Sequence, residues 1–125
     1  MTAVAEGLRA GAAMTVFVPR TDADGDTVTS TVLVDPDEPV FAGHYPGFAV
    51  FPGVGVVELV DRTLRAAYGD GRVLSEIVSA RFLSPVLPGD LLSVRATLRD
   101  GECAAVVGTG RGEAARLRLR YREEP

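Results

Sequence analysis

Short apolar and β-branched stretches, separated by Gly, Pro and Asp, make up most of the chain. Stretches of this kind between turn residues predict β-strands. The predicted strands are residues 14–19, 27–35, 73–83, 91–98, 103–109 and 114–121. Residues 21–26, rich in Asp and Gly, predict a turn between the first two strands, and Asp100-Gly101 is a typical hairpin turn. Together they predict an antiparallel sheet of about six strands.

One stretch has the different period of an α-helix. Residues 52–68 carry apolar side chains at a period near 3.6. Pro52 suits the first turn, because the N–H group that proline lacks would have no partner within the helix at that position. Val56 and Leu59 widen the apolar stripe, so we expect the helix to be buried on much of its circumference. Residues 69–71, Gly-Asp-Gly, end it. One buried helix and about six strands predict an α+β domain.

The length and charge of the chain narrow the possible partners. With 125 residues the chain suits a single domain, 1–125, in which the Ala/Gly-rich residues 1–13 are expected to be flexible. The net charge of −4 argues against a nucleic-acid partner. The start of the chain resembles no targeting segment, and no run approaches the roughly 18 apolar residues of a membrane span. We therefore expect a cytoplasmic protein with no membrane contact.

Cysteine and histidine occur once each. Cys103 alone can form neither an intrachain disulfide nor a Cys-based zinc site. His44 alone excludes a multi-histidine metal site. We therefore expect no metal site.

Residues 36–51 form a long irregular stretch with three prolines and two glycines. Long loops in compact domains are usually functional or disordered. This stretch is too apolar to stay in water, which predicts that it packs against the domain. Its apolar residues are Val40, Phe41, Tyr45, Phe48, Val50 and Phe51. The stretch is therefore a candidate site.

A possible acid–base pair links this stretch to the predicted helix. His44 lies in the stretch, and Glu58 lies on the helix. An imidazole titrates near neutrality, a carboxyl in apolar surroundings tends towards its neutral form, and such a pair can move a proton between two atoms. The free N–H groups of Gly53, Val54 and Gly55 could bind a developing oxyanion. Alternatively, His44 is a packing residue and Glu58 pairs with an arginine.

Two motifs carry a resemblance to a known family. Residues 41–54 read FAGHYPGFAVFPGV with Glu58 four positions on, and residues 80–90 read ARFLSPVLPGD. These segments resemble F-x-G-H-[FY]-P-G-x-x-[VI]-[MF]-P-G-V-x-x-x-E and A-R-F-x-x-P-V-x-P-G-D of the 3-hydroxyacyl-acyl carrier protein dehydratases of type II fatty-acid synthesis. The resemblance covers roughly residues 30–100. It implies the hotdog fold, a long helix wrapped by a curved antiparallel sheet.

The resemblance also implies the catalytic residues. His44 falls on the catalytic histidine of that family and Glu58 on its catalytic carboxylate. Gly53 falls where a backbone N–H polarises the thioester carbonyl, and Val50 where a backbone carbonyl holds the imidazole tautomer. In that family the histidine and the carboxylate come from different subunits. The resemblance therefore implies a homodimer, with a heterodimer or a higher assembly as alternatives.

Substrate-binding positions follow in the same way. The resemblance places Gly53 and Val54 at the thioester, and Phe51 and Phe82 could line an acyl tunnel. For each phenylalanine an ordinary place in the core is an equal alternative.

The reaction that the resemblance implies is dehydration of a 3-hydroxyacyl thioester, carried on acyl carrier protein, to the trans-2-enoyl thioester. His44 would remove a proton from Cα, the Gly53 N–H would stabilise the enolate-like charge, and Glu58 would protonate the departing hydroxyl, without a metal or other cofactor. The pathway would be fatty-acid or polyketide assembly. Two alternatives stay open, namely a non-catalytic or half-catalytic subunit of a heterodimeric dehydratase and a hotdog acyl thioesterase.

The chain departs from the family pattern at three places. Arg62 stands where the family usually has Gln, and Glu58 and Arg62 are i,i+4 neighbours on the predicted helix. An ion pair between them would favour the ionised carboxylate, which is the wrong state for a general acid. Ala49 replaces a common proline, and the start of the chain lacks the usual L-P-H-R-x-P-[FM]-L-L-V-D-R segment.

The last predicted strand alternates arginine with apolar residues. Arg116, Arg118 and Arg120 share one face, and Leu117 and Leu119 share the other, because strand side chains alternate. The arginines could form a solvated face. Alternatively, they could dock an acidic acyl carrier protein, whose phosphopantetheine would deliver the thioester.

Overall fold

The computed structural model of the protein describes residues 20–35 and 53–124. The expected flexible residues 1–13, the predicted strand at 14–19 and the candidate stretch 36–51 lie outside the described residues.

The described residues form one helix and a single six-stranded antiparallel sheet, which confirms the α+β class. The elements are β1 (Arg20–Asp24), β2 (Thr27–Leu33), α1 (Gly53–Tyr68), β3 (Arg72–Phe82), β4 (Leu91–Arg99), β5 (Glu102–Thr109) and β6 (Gly112–Glu123). The strand order is β1-β2-β4-β5-β6-β3, so β1 and β3 are the two edges of the sheet that the described residues form. This arrangement agrees with the hotdog fold that the resemblance implies.

The first strand differs from the sequence prediction. Residues 21–26 were expected to form a turn, but Arg20–Asp24 pair with β2, from Arg20 opposite Thr31 to Asp24 opposite Thr27. Only Gly25 and Asp26 turn, with a φ of 63° at Gly25. Aspartate is uncommon in strands, and pairing with β2 overrides that weak preference.

The core lies between α1 and the face of the sheet that packs on it, which we call the inner face. Leu59 and Val60 of α1 are fully buried. The buried inner-face residues include Val28, Val94, Cys103, Leu117 and Leu119. Each large apolar side chain buried in this way contributes about 1.5–3 kcal/mol to stability.

A buried polar contact also ties α1 to the sheet. The hydroxyl groups of Thr63 on α1 and Ser30 on β2 lie 2.8 Å apart, and Thr63 also donates to the Leu59 carbonyl. Both residues are buried, so the contact satisfies groups that would otherwise be costly inside the core. Among the described residues, α1 is too short and too polar to cross a membrane.

The predicted hairpin at Asp100-Gly101 is present between β4 and β5. Both residues have positive φ, 50° and 76°, the signs that the commonest two-residue hairpin turn requires. Gly101 is closely covered by β6, because a Cβ there would stand 2.8 Å from the carbonyl oxygen of Tyr121. The Tyr121 amide donates back to the Gly101 carbonyl at 2.7 Å.

The substitution Gly101→Ala should destabilise the fold more than Gly25→Ala. Both alanines would have positive φ, which costs about 1–2 kcal/mol for a residue with a Cβ. Only at Gly101 would the methyl group meet a backbone atom, since nothing lies within 4 Å of a Cβ at Gly25. Urea denaturation should give a free energy of unfolding lower by about 1 kcal/mol or more for Gly101→Ala than for Gly25→Ala. Equal losses would contradict the close contact.

Candidate active site

Glu58 lies in the second turn of α1 and is buried, with 4% of its surface exposed. Arg62, one helical turn later, donates from Nε to Glu58 Oε1 at 2.8 Å. The i,i+4 pairing that the sequence raised is therefore present. A buried carboxyl group needs such a hydrogen-bond partner, because an unpaired polar group is costly inside a protein.

The second carboxylate oxygen of Glu58 is different. Oε2 is buried and has no hydrogen-bond partner among residues 20–35 and 53–124. Unpaired buried oxygens are rare in folded proteins and are common at sites that bind or transfer a proton. Glu58 therefore holds one oxygen fixed by Arg62 and one oxygen open.

A second buried acid on α1 provides a comparison. Asp61 is as buried as Glu58, but both of its oxygens accept hydrogen bonds. Tyr121 donates to Oδ1 at 2.7 Å, and Arg65 donates from Nε to Oδ2 at 3.0 Å. Arg65 also reaches Asp70, just beyond the end of α1. Asp61 thus ties α1 to β6 and has no open oxygen.

Sequence analysis missed this network around Asp61. The spacing of Asp61 and Arg65 on a helix was a usable signal, because i,i+4 pairs of opposite charge meet. The Tyr121 contact spans sixty residues and left no local signal.

A cavity of about 420 Å³ lies beside the two buried acids of α1. It is bordered by Glu58, Asp61, Arg62, Arg65, Asp70, Val73 and Glu124.

Gly53 and Phe82, both predicted to bind substrate, meet at the start of α1. A Cβ on Gly53 would stand 2.9 Å from the tip of the Phe82 ring, so the ring lies directly against the glycine. Phe82 stays half exposed. The first turn of α1 carries no acidic side chain, so no carboxylate of that turn competes for the positive end of the helix dipole.

The other predicted site residues divide into two groups. His44 and Phe51 lie outside the described residues. Val54 is placed in the first turn of α1 by its backbone. Gly53, Glu58 and Phe82 are therefore the predicted catalytic and substrate-binding residues whose surroundings the structure defines.

Cys103 is a poor candidate for a nucleophile. It is fully buried, and burial, with a smaller effect of the nearby Asp61 charge, raises the pKa of its thiol to about 12. At neutral pH the thiol is therefore protonated. Within the described part of the chain, no three His, Cys, Asp or Glu side chains cluster so as to hold a metal ion.

The arginines of β6 alternate as predicted and point to the face of the sheet turned away from α1, which we call the outer face. They are exposed, while Leu117 and Leu119 are buried. Each of the three proposed docking residues has an acidic partner. These ion pairs are Arg116–Glu113, Arg118–Glu102 and Arg120–Glu76.

Comparison with known proteins gives the family. The sequence profile of the ApeI-like family, described as ApeI dehydratase, matches residues 20–109. A relative from Polynucleobacter asymbioticus, a 3-hydroxyacyl-[acyl-carrier-protein] dehydratase FabZ, is 37% identical over 101 residues, which cover 72% of this chain and 68% of that protein. The enzyme of the same name from Symbiobacterium thermophilum is 36% identical over 100 residues, covering 72% of this chain and 67% of its own.

Solved structures show the same fold. The dehydratase heterocomplex ApeI:P from Xenorhabdus doucetiae contains a chain that superposes with a TM-score of 0.76 at 17% identity, covering 84% of this chain and 96% of that one. The Escherichia coli PaaI protein superposes with a TM-score of 0.69 at 18% identity, covering 98% and 94%. The chain therefore has the hotdog fold and belongs to the ApeI-like dehydratase family.

Proposed function

We propose that the chain is a hydro-lyase that dehydrates a 3-hydroxyacyl thioester, carried on acyl carrier protein, to the trans-2-enoyl thioester. Membership of a dehydratase family supports the reaction class, and the activity of the FabZ relatives, named for 3-hydroxyacyl-[acyl-carrier-protein], supports the carrier-bound substrate. A pyran synthase domain from the sorangicin pathway, 26% identical over 87% of this chain and 40% of its own, extends the range to polyketide assembly. A cytoplasmic location belongs to the same proposal.

The open oxygen of Glu58 is the observation that carries this proposal. Of the two buried acids of α1, Asp61 has both oxygens engaged, and only Glu58 keeps one oxygen without a partner in the described part of the chain. A group that delivers a proton needs an oxygen that can carry the proton and reach the substrate. With Arg62 on Oε1, that oxygen is Oε2.

The proposed mechanism assigns three roles. His44 removes a proton from Cα of the substrate, and the N–H groups at the start of α1, beginning with Gly53, stabilise the charge that develops on the thioester oxygen. Glu58, protonated on Oε2, gives its proton to the 3-hydroxyl group. The C–O bond then breaks, the C=C bond forms, and water leaves. The helix dipole is positive at this end and stabilises the same negative charge on the thioester oxygen.

Assembly into a homodimer is part of the proposal. At the end of β3, Ala80 lies opposite the buried Leu117, and Phe82 lies opposite the buried Ala115, yet both β3 residues stay exposed. Leu83 follows with 49% of its surface exposed. Since β3 is an edge of the sheet, a second copy placed along it would cover these inner-face residues. His44 of one subunit and Glu58 of the other would then form each site.

We expect His44→Ala and Glu58→Gln to lower the turnover of 3-hydroxyacyl carrier protein by about 100- to 10,000-fold, since each removes a proton-transfer group. If the sites are shared, co-expression of the two inactive chains should restore about a quarter of wild-type activity. Half of the dimers would then be mixed, and each mixed dimer would hold one intact site. Enoyl formation by wild-type protein is the reference measurement.

The outcomes of that assay separate the alternatives. Full turnover by His44→Ala would overturn the catalytic assignment. Release of free thiol without enoyl product would identify a thioesterase. Inactivity of the isolated wild-type chain, relieved by another hotdog chain, would identify a subunit of a heterodimer. If the co-expressed His44→Ala and Glu58→Gln chains are inactive while the wild-type protein is active, each site lies within one subunit.

Arg62 should act on Glu58 through its hydrogen bond, and the matched variants Arg62→Gln and Arg62→Met test this. Gln Nε2 stands as many bonds from the backbone as Arg Nε, so it can keep the donor on Oε1, whereas Met has similar length and no donor. We expect Arg62→Gln to keep kcat within about threefold and Arg62→Met to lower it about tenfold, the value of a hydrogen bond to a charged group. A loss of equal size in both variants would show that the charge of Arg62 is what matters.

Gly53→Ala should impair turnover with little effect on stability. The methyl group would displace the tip of the Phe82 ring, which is half exposed and can move at low cost. We expect kcat/KM to fall about tenfold and the free energy of unfolding to change by less than about 1 kcal/mol. Gly71→Ala, where a Cβ meets nothing within 4 Å, is the control. If the kinetic constants of Gly53→Ala equal those of wild type, the contact between Gly53 and Phe82 has no part in substrate binding or turnover.

A further inference from the structure

Three exposed arginines form a straight row across the outer face of the sheet. Arg95 on β4 lies opposite Val106 on β5, Val106 lies opposite Arg116 on β6, and Arg116 lies opposite Arg81 on β3. We call Arg81, Arg95 and Arg116 the arginine row. All three side chains are exposed, and Val106 between them is 37% exposed. Sequence analysis singled out only Arg116, because strand register alone brings the other two beside it.

The charge of this row is not balanced by the residues that the structure describes. Arg116 pairs with Glu113, but Arg81 and Arg95 have no carboxylate within salt-bridge distance in residues 20–35 and 53–124. Arg81 and Arg116 are direct cross-strand neighbours, and like charges in that position destabilise a sheet. An acidic partner bound at this place would offset the repulsion between the two arginines.

The rest of β6 shows the contrast. Arg120 lies opposite Glu76 and forms an ion pair with it, and Arg118 pairs with Glu102 on the neighbouring strand. These two arginines are therefore neutralised by the chain itself. Arg122, at the far end of β6, is exposed and has no ion pair in the described residues either, but only at the Arg81 end do two unpaired arginines, Arg81 and Arg95, share one cross-strand row with a third arginine.

The shape around the row also suits a docked partner. An open groove of about 510 Å³ runs between the arginines. Its floor carries small side chains, so the guanidinium groups can reach a partner from several sides. The small residues are Ser79, Thr97 and Ala104.

The row ends beside the candidate active site. Arg81 directly precedes Phe82, whose ring lies against Gly53 at the start of α1. The Cα atoms of these two residues are about 3.8 Å apart, as in any pair of consecutive residues. Because side chains alternate along a strand, Arg81 faces the outer side of the sheet and Phe82 the inner side at the same point of β3. A partner held on the row would thus stand at the end of the sheet where the thioester is handled.

We propose that the arginine row is the surface on which an acidic acyl carrier protein docks to deliver its thioester. This inference rests on the proposed function and locates the carrier at Arg81, Arg95 and Arg116. Arg81 and Arg95 supply the unpaired charge, and Arg116, although paired with Glu113, completes the row between them. Arg118 and Arg120 lie outside the row, and each is paired with a glutamate, so they contribute less. Charge pairing of this kind speeds association and weakens as salt is added.

The test compares two doubly substituted proteins. Arg81→Glu with Arg95→Glu reverses the two unbalanced charges of the row. Arg72→Glu with Arg122→Glu makes the same charge change at the other end of β3 and β6, about 30 Å from Arg81 along β3. Neither pair includes a residue of the proposed catalytic site. Binding of a fluorescently labelled bacterial holo-acyl carrier protein is followed by anisotropy, which needs no turnover.

We expect the row variant to weaken carrier binding at least tenfold and the control variant to change it less than twofold. The KM for 3-hydroxybutyryl carrier protein should rise in parallel, while turnover of the 3-hydroxybutyryl N-acetylcysteamine thioester stays unchanged. Added salt should weaken binding by wild type more than binding by the row variant.

Several results would overturn the inference. These are equal carrier binding by wild type and the row variant, equal losses in the two variants, or no carrier binding by wild type. In the row variant, the KM for 3-hydroxybutyryl coenzyme A could rise as much as the KM for 3-hydroxybutyryl carrier protein. That result would mean that the row binds the phosphate of the pantetheine arm and not the carrier. If wild type dehydrates neither thioester, the proposed function fails, and the anisotropy data still decide whether the row binds the carrier.

Discussion

The burial of two carboxyl groups on neighbouring turns of α1 is the constraint on which the site depends. Glu58 and Asp61 are each 4% exposed, and a charge in such surroundings must be paired or neutralised. Asp61 is fully satisfied by Tyr121 and Arg65, which fastens the helix to β6. Glu58 receives one donor, from Arg62, and keeps one oxygen open within the described residues. On the same helix, the structural acid has a partner for each oxygen, whereas the candidate catalytic acid has an oxygen with no partner within the described residues.

The sheet concentrates the remaining features at one end of β3. The inner face is well covered along β2, β4, β5 and β6 and becomes exposed at the last residues of β3. Phe82 meets Gly53 at that end, beside the free N–H groups of α1. The outer face carries Arg81 one residue earlier. Assembly, substrate binding and carrier docking therefore converge, in our proposal, on one short segment of an edge strand, and a change there would affect all three.

Local sequence signals predicted the elements whose stability is mostly local. The period of 3.6 placed α1, the Asp-Gly pair placed the β4–β5 hairpin, and the alternation in β6 gave the correct face to its arginines. The spacing of Glu58 and Arg62 predicted their contact, because i,i+4 side chains meet on any helix. The prediction of a turn over residues 21–26 was wrong for the residues of β1, because the aspartates of β1 disfavour a strand and only its pairing with β2 makes it one.

The sequence by itself determined the helix, most of the strands and the class of the fold, and it supplied the candidates for proton transfer, because periods, turns and motifs each occupy a few consecutive positions. Tertiary structure alone decided which acid keeps an open oxygen and which arginines stay unbalanced. The Asp61–Tyr121 contact joins residues sixty apart, and the arginine row exists only through the register of four strands. Those outcomes depend on how distant segments are brought together, since a hydrogen bond or a charge pair acts over a few ångströms in space, whatever the separation along the chain.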